Sequence, residues 1–167
     1  MKARPAYKYA FSPPGVSGIE KWQIRTYHRD IISDAGKYEL EKKAFLETQT
    51  GKKFLTYRQE KFLNLNGLSL WLVDGTSLRG GAKAGDVDFT MAGHGFRYLY
   101  IPLGEIWIDA VYKNTLDFWP TIWHEYLERN LMAKGMDYDN AHDIAHRLEI
   151  VLRQGKYFVL PVGTYRQ

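Results

Sequence analysis

The stretch "HEYLERNLMAKGMDYDNAHDIAH", residues 124–146, holds three of the chain's five histidines and determines how its C-terminal part folds. A helical pattern of apolar residues ends at Gly135, and a second one follows almost at once. We predict one helix from about Thr115 to Ala133 and another from about Asp139 to Gln154. Because the connection is short, the two helices should run antiparallel as a hairpin.

The sequence before this hairpin predicts strands. In "FLNLNGLSLWLVDG", residues 62–75, Asn66-Gly67 suits a two-residue type I′ turn between two apolar strands. "FRYLYI", residues 96–101, and "EIWID", residues 105–109, are rich in aromatic and β-branched residues, which favours two further strands. The predicted fold class is therefore α+β: a small antiparallel sheet followed by a C-terminal helical hairpin packed on it.

Length and composition indicate one domain. The chain has 167 residues, 45% hydrophobic and 25% charged, which is ordinary for a globular protein. Residues 1–18 contain several prolines and glycines and suggest an irregular arm, so we place a single α+β domain at residues 19–167. The chain has no cysteine, which excludes disulfides, cysteine-ligated zinc and thiol chemistry.

The sequence also bounds location and partners. It has no apolar run of about 18 residues and no secretory signal pattern, so we expect no membrane span. The expected location is the cytoplasm, or the host cytoplasm if the protein is viral. The net charge of +4 permits a nucleic-acid partner without requiring one.

The first predicted helix carries H-E-x-x-E. His124 and Glu128 are four residues apart and share a face, with Glu125 one position round. In the related H-E-x-x-H pattern, side chains at i and i+4 bind one metal ion and the glutamate at i+1 acts as general base towards water. Here the second ligand would be a carboxylate, which zinc accepts, as do manganese and iron.

The second predicted helix repeats the four-residue spacing with His142 and His146, and Glu149 follows three positions later. In an antiparallel hairpin His142 lies near the height of Glu128, and His146 lies near that of His124. Either histidine would complete a metal site if the two faces meet. The alternative is that these polar residues form a solvated flank beside the core face of the helix. That predicted core face consists of Ala141, Ile144, Ala145, Leu148 and Val151.

Two resemblances support the metal interpretation. The signature "HE-x-x-ER-x-LM-x-x-GM-x-Y-x-x-AH" of residues 124–142 is similar to that of small prokaryotic and phage proteins of uncharacterised function. The order of strand, H-E-x-x-[H/E] helix and later helical ligand resembles zincin-type metallopeptidases, over about residues 85–150. The roles that this resemblance implies are metal ligand for His124, Glu128 and His142 or His146, and general base for Glu125. Strand 105–109 would line the substrate cleft, where peptides add to a sheet edge. The glutamate at position 128 departs from the zincin pattern and leaves a degenerate or non-peptidase site open.

Three further residues are candidates to orient a ligand or to contact substrate: His94, Asp109 and Glu149. His94 stands between Gly93 and Gly95, which allow close backbone approach. It is either an additional ligand, a substrate contact or a turn residue. Asp109 ends a predicted strand, where a carboxylate either caps a helix or orients a ligating imidazole.

A second hypothesis belongs to a different class of protein. The N-terminal third interleaves basic and aromatic residues, a combination that suits single-stranded nucleic acid. Its candidate contact residues are Arg4, Lys8, Lys21, Arg25 and Arg29. The sequence thus leaves two functions open. The first is a small intracellular zincin-like metalloprotein and candidate hydrolase, dependent on zinc, manganese or iron. The second is a non-enzymatic binding protein, of a cell or a virus, that docks on a host protein or nucleic acid. Substrate and oligomeric state are not fixed by the sequence.

Overall fold

The computed structural model describes residues 35–80 and 89–155. Within them, a four-stranded sheet is followed by two long helices that pack together. The helices are α1 (Ala35–Glu47), α2 (Gln49–Leu55), α3 (Gly75–Gly80), α4 (Phe118–Ala133) and α5 (Tyr138–Arg153). The strands are β1 (Arg58–Leu65), β2 (Leu68–Val73), β3 (Ala92–His94) and β4 (Glu105–Asp109). The α+β class and the C-terminal hairpin are confirmed, and the predicted arm at 1–18 lies outside the described residues.

The sheet has the order β1-β2-β4-β3 and is mixed. The β1–β2 hairpin turns at Asn66-Gly67, where both φ angles are positive (49° and 86°), as a type I′ turn requires. β3 is antiparallel to β4, but β4 is parallel to β2, so the sheet is not wholly antiparallel. A long connection that includes α3 and β3 separates β2 from β4, which gives the chain room to return in the same direction.

Residues 96–101 form turns, and the prediction of a strand there is wrong. A strand would alternate between two faces, whereas the following successive side chains are all buried: Tyr98, Leu99, Tyr100 and Ile101. The ammonium of Lys42, on α1, donates hydrogen bonds to the carbonyls of Tyr98 (2.7 Å), Leu99 (2.9 Å) and Ile101 (2.5 Å). The buried backbone is therefore satisfied without a neighbouring strand.

Both faces of β4 are buried, and this positions α4. Along β4, Ile106 and Ile108 pack in one core cluster and Trp107 packs in the other. Phe118 and Ile122 of α4 belong to the first cluster, so α4 lies across that face of the sheet. The next turns of α4 reach the end of β3. No helix in the described ranges has the length and apolarity needed to cross a membrane.

The hairpin itself is defined by local signals and by small residues. Gly135 follows α4 with a φ of 91°, and the Asp137 side chain caps α5 by accepting from the backbone N–H of Asn140 at 2.9 Å. Ala141 and Ala145 of α5 are fully buried. The predicted core face of α5 is wrong at two positions, because Ile144 and Val151 are 40% and 37% exposed. The helix is rotated so that its two alanines and the polar residues beside them face α4.

Replacing Lys42 with methionine should lower the free energy of unfolding by about 3 kcal/mol, because three buried carbonyls lose their donor. The measurement is urea unfolding of the full chain. Lys43→Met is the matched control, since Lys43 is exposed, and should change the same quantity by less than about 0.5 kcal/mol. Equal stability of the two variants would show that the ammonium does not hold the 96–101 segment.

Candidate metal centre

A buried carboxylate lies at the centre of the histidine cluster. The Glu128 side chain is only 3% exposed, and its Oε1 lies 2.9 Å from Nε2 of His94. Its Oε2 lies 3.2 Å from Nε2 of His124 and 2.7 Å from Nδ1 of His142. The three histidines come from β3, α4 and α5, so three separate elements converge on one side chain.

Three of these atoms form a triangle that fits a metal ion. Nε2 of His124 and Nδ1 of His142 are 3.2 Å apart, and each is close to Oε2 of Glu128. Two ring nitrogens and a carboxylate oxygen this close repel one another through their lone pairs unless a proton or a metal cation lies between them. Zinc bonds of about 2.0–2.1 Å in a tetrahedral site place ligand atoms about 3.3 Å apart. The two sides of 3.2 Å match this spacing, whereas the Oε2–Nδ1 side of 2.7 Å is shorter and would have to open to bind a tetrahedral ion. Three such ligands leave the remaining position for water or substrate.

His94 supports this triangle as a hydrogen-bond donor. Its Nδ1 accepts a hydrogen bond from the backbone N–H of Phe96 at 3.2 Å, which leaves Nε2 as the protonated nitrogen that donates to Glu128. Complete burial lowers the pKa of His94, so its ring is neutral. The geometry gives His94 a role that differs from those three: its hydrogen bond orients Glu128, with Oε1 occupied and Oε2 forming one corner of the triangle.

The two glycines beside His94 explain how its loop comes so close to its neighbours. A Cβ at Gly93 would collide with the ring of Tyr98, and one at Gly95 would lie 2.5 Å from the carbonyl oxygen of Pro102. The close approach that the glycines predicted is therefore present. The two glycines let the loop pack against residues 98–103, and this places the His94 imidazole beside Glu128 of α4.

The other side of His124 faces Glu149. Nδ1 of His124 lies 2.8 Å from Oε2 of Glu149, although no hydrogen bond at this nitrogen is well aligned. Nδ1 of His146 lies 3.6 Å from the same oxygen, and the His146 side chain is 58% exposed. The fold thus brings His142 to the Nε2 side of His124 and His146 to its Nδ1 side. A carboxylate in the position of Glu149 would orient the imidazole of His124 if that ring bound a metal ion.

The ionisable side chains of this cluster change one another's pKa values. Burial disfavours charge on both Glu128 and His124, but their contacts outweigh it: hydrogen bonds from His124, His142 and His94 hold the pKa of Glu128 well below its usual value. The hydrogen bond to Glu128 and the nearby carboxylate of Glu149 raise the pKa of His124 to about 10. Without a metal ion, a proton on His124 therefore supplies the positive charge between the two carboxylates.

Glu125 lies next to this cluster and differs from Glu128 in charge. One of its oxygens lies within 4.8 Å of ligand atoms on His94 and Glu128. Burial and then the charge of Glu128 raise the pKa of Glu125 to about 8, so it is mainly protonated at neutral pH. A divalent ion at the triangle would favour its ionised form, in which a carboxylate serves as general base.

The other predicted site residues lie elsewhere. Asp109 accepts from the Arg79 guanidinium at 2.6 Å and from the backbone N–H of Val111 at 3.1 Å. It therefore caps the short 3-10 turn at Ala110–Tyr112 and belongs to none of the clusters with metal-binding geometry in the described residues. The basic candidates of the second hypothesis lie outside the described residues: Arg4, Lys8, Lys21, Arg25 and Arg29.

Strand β4 does not offer the free edge that the zincin resemblance implies. Ile106, Trp107 and Ile108 pair with β2 on one side and with β3 on the other. An extended peptide therefore has no position beside this part of β4. Any substrate of the metal centre must approach by another route, and the partly exposed His142 marks the more open side of the triangle.

Sequence reasoning did not single out two residues that border the site. Arg97 is 6% exposed, and its guanidinium carbon lies 4.4 Å from the ring centroid of Tyr138. The Tyr138 ring stacks on His142, with 5.3 Å between centroids. The available signal was the position of Tyr138 four residues before His142, which places both on one face of the helix.

The chain matches no protein-family model, and comparisons with curated proteins and with solved structures give no match. The zincin and phage-protein resemblances therefore stay predictions.

Replacing His94 with leucine should weaken zinc binding about 10- to 100-fold, because Glu128 loses the donor that orients it. Zinc affinity is measured by competition with a chelator. The matched control is His146→Leu, which changes a histidine outside the triangle and should leave the affinity within about threefold of the wild type. Equal affinity of His94→Leu and wild type would contradict the orienting role.

The metal-free protein should lose stability as the pH rises from about 7 to about 10. His124 has a folded pKa of about 10, above its unfolded value of about 6.5, so its stabilising contribution is complete below 6.5 and is lost towards pH 10. Glu125 acts in the same direction, because its folded pKa of about 8 exceeds its unfolded value of about 4.3.

The test is the melting temperature across this pH range in the presence of chelator. A double variant, His124→Gln with Glu125→Gln, removes both titrations and should show a smaller decline than the wild type. Parallel curves for the two proteins would exclude the cluster as the source of the pH dependence.

Proposed function

We propose that this protein is a small metal-dependent hydrolase that holds one divalent ion, with zinc as the first choice, at His124, Glu128 and His142. The observation that carries the proposal is the triangle of Nε2, Oε2 and Nδ1 atoms with sides of 2.7–3.2 Å. Its spacing suits ligands of a tetrahedral ion, and three protein ligands leave one position open, as in catalytic zinc sites.

The donor set favours zinc over the alternatives. Two imidazole nitrogens and one carboxylate oxygen are common zinc ligands, and the compact triangle suits four-coordinate geometry. Iron accepts the same donors, whereas manganese prefers more oxygen ligands and a higher coordination number. Manganese and iron therefore remain secondary candidates within the same proposal.

In this proposal each residue around the ion has one task. A bound zinc ion supplies the Lewis acidity that makes water a nucleophile near neutral pH. Glu125 accepts the proton of the attacking water and returns it to the leaving group. His94 keeps Glu128 in place through Oε1, and Glu149 keeps His124 in place from its Nδ1 side.

The pairing of β4 bears on the class of substrate. Both edges of β4 are paired, so an extended peptide cannot add to that strand as the zincin resemblance implies, and we propose a hydrolase and not specifically a peptidase. Cytoplasmic location, in a cell or in the host of a virus, stays a prediction from the sequence. The same holds for a protein or nucleic-acid partner.

Metal content and hydrolysis test the proposal together. Protein purified without chelator or histidine tag should contain about one equivalent of zinc by elemental analysis, and His124→Ala should lose it. The zinc-loaded protein should hydrolyse 4-nitrophenyl acetate, a simple ester that reports activated water. Glu125→Gln should keep the zinc but lose about 100-fold or more of this activity, since it removes the general base.

Glu39→Gln, an exposed glutamate on α1, is the matched control and should behave as the wild type. Absence of zinc from the wild type, with none gained on adding zinc, manganese or iron, would contradict the metal site. Full activity in Glu125→Gln would contradict the role of Glu125 while leaving the metal site standing.

A further inference from the structure

The three proposed ligands are not held equally well. The side chains of His124 and Glu128 are 7% and 3% exposed, and each has a second polar partner, Glu149 and His94 respectively. The His142 side chain is 41% exposed, and Nδ1 is its hydrogen-bonding atom in the cluster. Its ring also stacks on that of His146, with 6.1 Å between centroids, but the His146 side chain is itself 58% exposed. Something other than burial or a second hydrogen bond must fix the plane of the His142 ring.

The ring beneath His142 is that of Tyr138. Tyr138 lies one helical turn earlier on α5, and the two rings stack with centroids 5.3 Å apart and an interplanar angle of 27°. The Tyr138 ring also contacts the guanidinium of Arg97, whose central carbon lies 4.4 Å from the ring centroid. The Tyr138 ring thus contacts both an imidazole on α5 and a guanidinium in the loop after β3.

The contact between the Tyr138 and His142 rings can determine how the His142 ring is oriented towards the triangle. An imidazole ligand must hold its nitrogen lone pair towards the ion, so the ring plane matters as much as the ring position. A flat neighbour at stacking distance limits rotation of the imidazole out of that plane. Arg97 fixes the Tyr138 ring in turn, because a buried guanidinium above an aromatic face is a favourable and directional contact.

From this geometry we infer that Tyr138 is a positioning residue for the metal centre: its ring, backed by Arg97, holds the ring of His142 in the plane that directs Nδ1 into the triangle. This inference rests on the proposed metal site and adds a residue to it. It assigns no contact with substrate to Tyr138. A purely structural role would instead make Tyr138 contribute to folding and leave metal affinity unchanged.

The test uses the full chain and zinc as the probe, with affinity measured by chelator competition. Tyr138→Phe keeps the aromatic ring and should stay within about threefold of the wild type. Tyr138→Leu removes the flat surface and should weaken zinc binding by about tenfold or more. Tyr126→Leu is the matched control, because Tyr126 is a partly buried tyrosine on α4 whose hydroxyl contacts Asn66, and it should bind zinc as the wild type does.

A second measurement does not depend on the folding of any variant. Proton NMR of the metal-free wild type should show the His142 ring protons shifted upfield from their values in the unfolded protein, because they lie over the Tyr138 ring. Absence of this shift would overturn the stack itself. Zinc affinity in Tyr138→Leu equal to that of the wild type, or a loss in Tyr138→Phe as large as in Tyr138→Leu, would overturn the positioning role.

The outcomes separate this inference from the proposed function. If the wild type binds no zinc, manganese or iron, the metal site fails, and with it the role of Tyr138 in positioning a ligand. If the wild type binds zinc and Tyr138→Leu binds it equally well, only the inference about Tyr138 fails.

Discussion

The carboxylate of Glu128 is the constraint around which this part of the molecule is arranged. Burial of an ionised carboxylate costs several kcal/mol unless partners satisfy it. Three imidazoles provide those partners, one each from β3, α4 and α5. The distance between α4 and α5 and the position of the loop at the end of β3 must both allow these contacts with Glu128. The same contacts create the compact set of nitrogen and oxygen atoms that suits a cation.

A second buried ionisable side chain, that of Lys42, holds the backbone beside the site, although burial lowers its pKa well below the usual value. Lys42 binds the carbonyls of the 98–101 turns, and these turns pack against the glycines on either side of His94. On the far side of the site, Arg153 joins Glu149 to Asp117 at the start of α4. The centre is therefore held from the sheet side and from the hairpin side. Protons and a metal ion would compete for the same nitrogen of His124, because each supplies the positive charge that the carboxylates need.

Much of the fold followed from local signals. Asn66-Gly67 identified the β1–β2 hairpin, and Gly135 and Asp137 marked the break between α4 and α5 to within a few residues. The 96–101 segment was predicted wrongly, because its composition favours a strand while a lysine distant in sequence supplies its hydrogen bonds. The parallel pairing of β2 with β4 likewise depends on the path of a long connection, which no local pattern encodes.

For the site, the sequence by itself determined which residues share a helix face, because the helical repeat fixes that spacing: His124 with Glu128, and His142 with His146. Only the tertiary structure decided that His142 and not His146 meets Nε2 of His124, since the rotation of α5 about its axis depends on how Ala141 and Ala145 pack against α4. It also decided the role of His94. That imidazole reaches Glu128 across 34 residues of chain, and the spacing of residues along a chain carries no information about contacts made at that distance.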